Sequence, residues 1–134
     1  MTTHATGMFK IKTWDEKPYD EIGGSAKPTR AGVTESFHGD IEGEGKVESL
    51  MIYRDDGSAH FFSVVRVAGS VGGRSGSFVL EGSGTHAAGT AQCAWTVVAG
   101  AGTGALTGLQ GKGGFVAKHA DYPDAPFALD YDFE

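Results

Sequence analysis

The chain has one cysteine, Cys93, so no internal disulfide can form and a stapled secreted scaffold is excluded. It lacks the run of about 18 apolar residues that a membrane-crossing helix needs. Its long uncharged stretch, Gly82–Gly111, is too rich in Gly, Thr and Ser to serve as one. Residues 1–10 show no basic segment followed by an apolar one, so no leader is expected. Lys and Arg form no cluster: residues 1–67 carry 8 bases and 11 acids, and residues 68–134 carry 3 and 6. The resulting charge of −6 is evenly spread, which disfavours nucleic acid and other polyanions as partners. The expected compartment is the cytoplasm, with no membrane association. There is no Gly-X-Y period and no heptad, which excludes collagen and coiled coil.

What is present is glycine, 22 residues in 134, roughly twice the average usage. Apolar residues make up 40% and charged residues 21%, a globular balance. A chain of this length forms one domain, residues 1–134, that buries roughly two-thirds of its unfolded surface. Gly or Pro interrupts nearly every window long enough for a helix. Period-2 alternation is the recurring pattern instead. Ala5, Gly7, Phe9, Ile11 and Thr13 alternate with Lys10 and Lys12, and Ala31, Val33, Phe37 and Ile41 share another face, with a turn expected near Gly43 and Gly45. Asp15–Pro28, polar and holding Pro18, Gly23, Gly24 and Pro28, reads as a long loop. Lys46–Tyr53, Ala59–Val71, Arg74–His86, Thr90–Val98, Gly113–Lys118 and Phe127–Phe133 complete about eight strands in a meander. Such strands hide their apolar faces in a closed up-and-down barrel, which has no edges, or in a two-sheet sandwich. Regular hairpin spacing favours the all-β, eight-stranded antiparallel barrel.

Cross-strand neighbours project to the same face, so turn positions predict which residues share the interior. A two-residue Gly72-Gly73 turn sets Val67 opposite Phe78, Val65 opposite Leu80, Ser63 opposite Gly82 and Phe61 opposite Gly84. A turn closing His86 on Gly89 sets Leu80 opposite Trp95, Gly82 opposite Cys93 and Gly84 opposite Ala91. A three-residue Asp55-Asp56-Gly57 loop sets Tyr53 opposite Ala59, Met51 opposite Phe61 and Ser49 opposite Ser63. A two-residue loop would reverse that last face and bring Lys46 and Glu48 inside. The interior then has a filled zone around Leu80, Trp95 and Phe78, and a thin one of Ser49, Ser63, Gly82, Gly84, Ala91 and Cys93, where volume for a ligand is expected. Glu35, between Val33 and Phe37, brings a carboxylate to that zone. Desolvation would raise its pKa, as suits a general acid or base. Tyr53 and Tyr131 are candidate phenol donors, and His86 a rim residue. The competing structural role for Glu35 is an ion pair with Arg66 or a rim lysine, and for Cys93 that of a small buried apolar residue.

Other motifs carry no chemistry. His38-Gly39-Asp40 supplies two ligands where a metal needs three or four, so no metal is expected. Gly102-Thr103-Gly104 lacks the third glycine and the helix of a dinucleotide site, and no Gly-Lys-Ser/Thr follows, so no cofactor is expected. Asp55-Asp56-Gly57 lacks the later ligands of a calcium loop. Gly73-Arg74-Ser75-Gly76 is one residue short of a hydrolase elbow.

Gly39-Asp40-Ile41-Glu42-Gly43, Gly73-Arg74-Ser75-Gly76-Ser77-Phe78, Trp95-Thr96-Val97, Gly102-Thr103-Gly104 with Leu106, Gly108, Leu109 and Gly111, Gly113-Gly114-Phe115, and Leu129-Asp130-Tyr131-Asp132-Phe133 resemble the bacterial family of domain of unknown function 3224. The resemblance spans nearly the whole chain. That family is similar in fold to the allene oxide cyclase barrel, a calycin-like architecture, and the Gly-Thr-Gly then Leu-x-Gly-Leu stretch is similar to plant dirigent proteins. The resemblance implies an eight-stranded barrel with an interior pocket, often oligomeric, in a superfamily that steers cyclisation or coupling of apolar intermediates without a cofactor. The expected function is binding of a small apolar ligand among Ser49, Met51, Tyr53, Phe61, Ser63, Leu80, Gly82, Gly84, Cys93, Trp95 and Tyr131, with isomerase or cyclase activity through Glu35. The alternative is a non-catalytic binding or assembly module, which would have a filled interior.

Overall fold

A computed structural model describes residues 2–19 and 27–134. The strands are β1 (Thr3–Pro18), β2 (Lys27–Gly39), β3 (Ile41–Tyr53), β4 (Ala59–Val71), β5 (Arg74–Ala87), β6 (Thr90–Val97), the two-residue β7 (Thr103–Gly104), β8 (Leu109–Lys118) and β9 (Asp124–Phe133). Apart from β7, which only caps part of β5, each strand pairs antiparallel with the next, and β9 returns to β1. The result is a closed eight-stranded antiparallel barrel. Among the described residues the one helical element is the 3-10 turn His119–Asp121. No helix among the described residues is long and apolar enough to cross a membrane.

Closure follows from the alternation. Phe9, Phe37, Trp95 and Phe127 come from four strands, are nearly fully buried, and meet with ring centroids 5.5–6.3 Å apart. Burying one such ring stabilises the fold by about 1.5–3 kcal/mol, more than the few tenths to 1 kcal/mol of a single cross-strand pair. This aromatic layer divides the interior. On one side Ile41, Val67, Val71, Phe78, Leu106 and Leu129 are buried and fill the barrel end completely. Leu106 reaches that end from the loop after β6, held by the Ala105 N–H on the Ser75 carbonyl and by the Ser77 and Thr103 hydroxyls, 2.6 Å apart.

The hairpin registers test the turn chemistry directly. Gly72 and Gly73 both have positive φ, and Val71 faces Arg74, Val67 faces Phe78 and Ser63 faces Gly82 as the two-residue turn requires. Tyr53 faces Ala59 and Ser49 faces Ser63, as the three-residue loop requires. At the next hairpin the expected register is corrected. Ala88 and Gly89, with φ of 53° and 76°, form the turn and close Ala87 on Thr90, so Leu80 faces Val97, Gly82 faces Trp95 and Gly84 faces Cys93. The slip is two residues, so every side chain keeps its face.

Strand boundaries also differ, β8 and β9 starting earlier than expected, at Leu109 and Asp124. The chain reverses at Gly39-Asp40 rather than near Gly43 and Gly45: Gly39 takes φ of 116°, and Ile41 opens β3. Gly43 instead lets two strands approach, since a Cβ there would lie 2.2 Å from the Ala68 carbonyl oxygen. β1 bulges between Ile11 and Thr13, which turns Thr13 outward and puts Trp14 opposite the inward Val33. The expected loop Asp15–Pro28 is strand at both ends, with its middle outside the described residues.

Candidate functional site

The aromatic layer is the floor of a cavity of about 500 Å³ that occupies the other half of the barrel. Its mouth lies at the end formed by the Ala88-Gly89 turn and the His119–Asp121 turn, and carries Trp14, His86, Lys118, His119, Tyr122 and Asp124. The wall below is made of Phe9, Ile11, Val33, Phe61, Cys93 and Phe115, with Ser49 and Ser63 as a polar step. The two serine oxygens are 2.9 Å apart and hydrogen-bond to one another.

Glu35 is the charge-bearing group set into this wall. β2 points it inward between Val33 and Phe37, and it is 5% exposed. Opposite it on β3 stands Gly45, whose missing side chain leaves room for the Glu35 stem. Burial pushes the Glu35 carboxyl up to about 7, which brings its proton exchange into the neutral range. No ion pair reaches it among the described residues, and Arg66 lies exposed on the outer face opposite Lys46. Cys93 shares the cavity as a thiol. Burial, and then the nearby Glu35 charge, push it up to about 12.

Of the residues expected from sequence to meet a ligand, Ser49, Met51, Phe61, Ser63, Cys93 and Trp95 line the cavity with Glu35. Five stand elsewhere. Tyr53 donates its hydroxyl hydrogen bond to Glu16 at 2.7 Å. Glu16 also accepts from Thr29 and Trp14. Burial opposes its ionisation, but these three donors outweigh it and hold its pKa below the ordinary carboxylate value. Tyr131 belongs to the filled end, beside Gly72 and edge-on to Phe133. Leu80 is packed under the floor, fully buried. Gly82 and Gly84 leave no empty space, because the volume they vacate is taken by their neighbours. A Cβ on Gly82 would meet the Cys93 Sγ at 2.7 Å, and one on Gly84 would meet Phe61 at the same distance.

Sequence reasoning missed the wall contributed by β1, β8 and β9: Phe9, Ile11, Phe115, Ala117 and Ala125. Alternation gives their inward face. Ile11 is paired with Glu35 across β1 and β2, and Phe115 with Cys93 across β6 and β8, but these two sides meet around one cavity only because β9 closes against β1, a pairing between residues more than a hundred positions apart that no turn specifies. Among the described residues no group of three or more His, Cys, Asp or Glu is placed to hold a metal.

A family model described as "Protein of unknown function (DUF3224)" matches residues 5–131. A crystal structure of a protein of unknown function from the same family, from Shewanella oneidensis, is similar over 100% of this chain and 99% of that one, with 27% identity and a TM-score of 0.85. No curated protein matches the chain.

Proposed function

The chain belongs to the DUF3224 family, whose description names no activity, and from the cavity we propose that it binds one compact apolar molecule and isomerises or cyclises it without a cofactor. The observation that carries this reading is a cavity of about 500 Å³ with a mostly apolar wall and one buried carboxyl, Glu35. That volume falls within the roughly 300–1,000 Å³ typical of small-molecule sites. A scaffold that works only through its outer loops has no need of such a space.

Isomerisation and cyclisation rearrange bonds within one molecule, so no co-reactant has to be supplied. The wall would hold a flexible reactant in one folded conformer and keep water away from it. Glu35, with a pKa of about 7, can give a proton to one substrate atom and recover one from another, which returns the enzyme to its starting state. Cys93, held as a neutral thiol, contributes shape rather than a nucleophile.

The test is native mass spectrometry of freshly purified protein, and of protein incubated with adamantylmethanol, each compared with the denatured sample. A bound mass that leaves on denaturation is expected. It should be absent from Ser63→Phe, whose ring occupies the cavity. Bare protein in both samples overturns the reading. A compound recovered in this way becomes the substrate for an assay in which Glu35→Gln is expected to lower conversion at least a hundredfold.

A further inference from the structure

We propose that the cavity is selective for an apolar amine, whose ammonium group pairs with Glu35 among the aromatic rings of the wall. This rests on the reading above that the cavity takes a small molecule, and adds the ligand's charge.

Glu35 lacks an ion-pair partner among the described residues. Nearly all buried carboxylates are paired or held by several donors, because an isolated charge out of water costs several kcal/mol. Glu35 is 5% exposed, and no ion pair to it is formed within the described chain. Burial is the cause of its raised pKa, with no hydrogen bond or neighbouring charge to offset it. Its carboxyl oxygens are not sealed off as buried atoms without a partner, as the indole N–H of Trp95 is. The acid therefore faces the cavity, and the missing partner has room to arrive there.

The rest of the wall is equally selective. The Ser49 and Ser63 hydroxyls are hydrogen-bonded to each other, which leaves a single free hydroxyl hydrogen between them, and the Cys93 thiol points to the Ala94 carbonyl. Below the mouth, where His86, Lys118 and His119 stand, the wall thus offers no cluster of donors for a carboxylate or phosphate head. Phe9, Trp14, Phe61, Trp95 and Phe115 line the same space. Aromatic faces attract a desolvated ammonium, and they give an anion nothing comparable. A cation is thus favoured twice, by the rings and by the unpaired acid.

Glu35 must ionise to pair with an ammonium, so affinity should rise with pH through about 7. The strands beside Glu35 present Ile11 and Gly45 and add no charge. The titratable and charged groups that share the cavity are Cys93 on β6, His86 on β5, Lys118 on β8, His119 on the turn, Tyr122 just after it and Asp124 on β9.

The experiment compares adamantylmethylamine with its neutral isostere adamantylmethanol by isothermal titration calorimetry on the full chain. It is run one pH unit below and one above the Glu35 value, on the wild type and on Glu35→Gln. The amine is expected to tighten about tenfold between the two pH values in the wild type and to show no such change in Glu35→Gln. In the wild type alone, at the lower pH, titration in two buffers of different ionisation enthalpy should show release of about one proton with the amine and none with the alcohol. An amine that binds no tighter than the alcohol, or a pH trend that survives in Glu35→Gln, overturns the inference but leaves the apolar cavity reading standing. Failure of both probes to bind overturns the two together.

Discussion

Glu35 lies across from Gly45 so closely that a Cβ on Gly45 would come within 3.0 Å of the Glu35 Cγ and 2.7 Å of the Phe37 ring. A residue without a side chain on β3 is what allows an acid on β2 to sit inside the barrel. Gly45→Ala should therefore strain both neighbours and destabilise the fold by about 1–3 kcal/mol, the usual cost of overpacking. Urea unfolding would measure it, and an unchanged midpoint would show that Glu35 moves freely.

The buried acid also shapes stability against pH. Its pKa is raised from 4.5 to about 7 by burial, so between those values the folded chain keeps a proton that the unfolded chain has lost. Stability from this group is complete below the unfolded value and falls as pH rises through the folded one. The total loss is roughly 3 kcal/mol at most. Glu35→Gln should remove this slope, and above neutrality should be more stable than the wild type. Unfolding midpoints at pH 5 and pH 8 check it: equal slopes in the two proteins would place the titration on another group.

Cys93 is expected to be inert. With its pKa pushed up to about 12 by burial and then by Glu35, its thiolate fraction at pH 8 is roughly a thousandfold below that of an ordinary thiol. Iodoacetamide should label it slowly in the folded protein and readily in urea. Removing the Glu35 charge by Glu35→Gln should lower the thiol pKa and speed the native reaction. Rapid native labelling would instead restore Cys93 as a candidate nucleophile.

These consequences were legible in the sequence to an uneven degree. Local pairing was readable wherever a short turn fixed it, as at Gly72-Gly73 and Asp55-Asp56-Gly57, and the inward position of Glu35 followed from its place between Val33 and Phe37. The Ala88-Gly89 turn was misplaced because a non-glycine residue takes positive φ there. The bulge after Ile11 left no mark in the alternation, since Thr13 suits either face, and it moved Trp14 to the mouth. Of the small residues expected to border empty volume, Ser49, Ser63, Ala91 and Cys93 do so, but Gly82 and Gly84 do not. Small residues predict space only if their neighbours stay away, and Cys93, Trp95 and Phe61 lean over Gly82 and Gly84.

Tyr53 shows the same effect at a polar group. Its hydroxyl is committed to Glu16 rather than to the cavity, and with Thr29 and Trp14 it holds the Glu16 pKa below its ordinary value. A lowered carboxyl pKa contributes stability above the unfolded value that is lost as pH falls through the folded one. Tyr53→Phe should therefore raise the Glu16 pKa towards the ordinary range and cost some stability at neutral pH. At strongly acid pH, where Glu16 is protonated in both proteins, that cost should vanish. Glu16 is only half-buried, so water screens the interaction and the loss should stay below about 1 kcal/mol. An NMR titration of the Glu16 carboxyl reads the shift, and the affinity for adamantylmethanol should not change. A marked fall in that affinity would return Tyr53 to the ligand site, because a hydroxyl whose short hydrogen bond goes to Glu16 has little to lend an apolar molecule bound in the cavity.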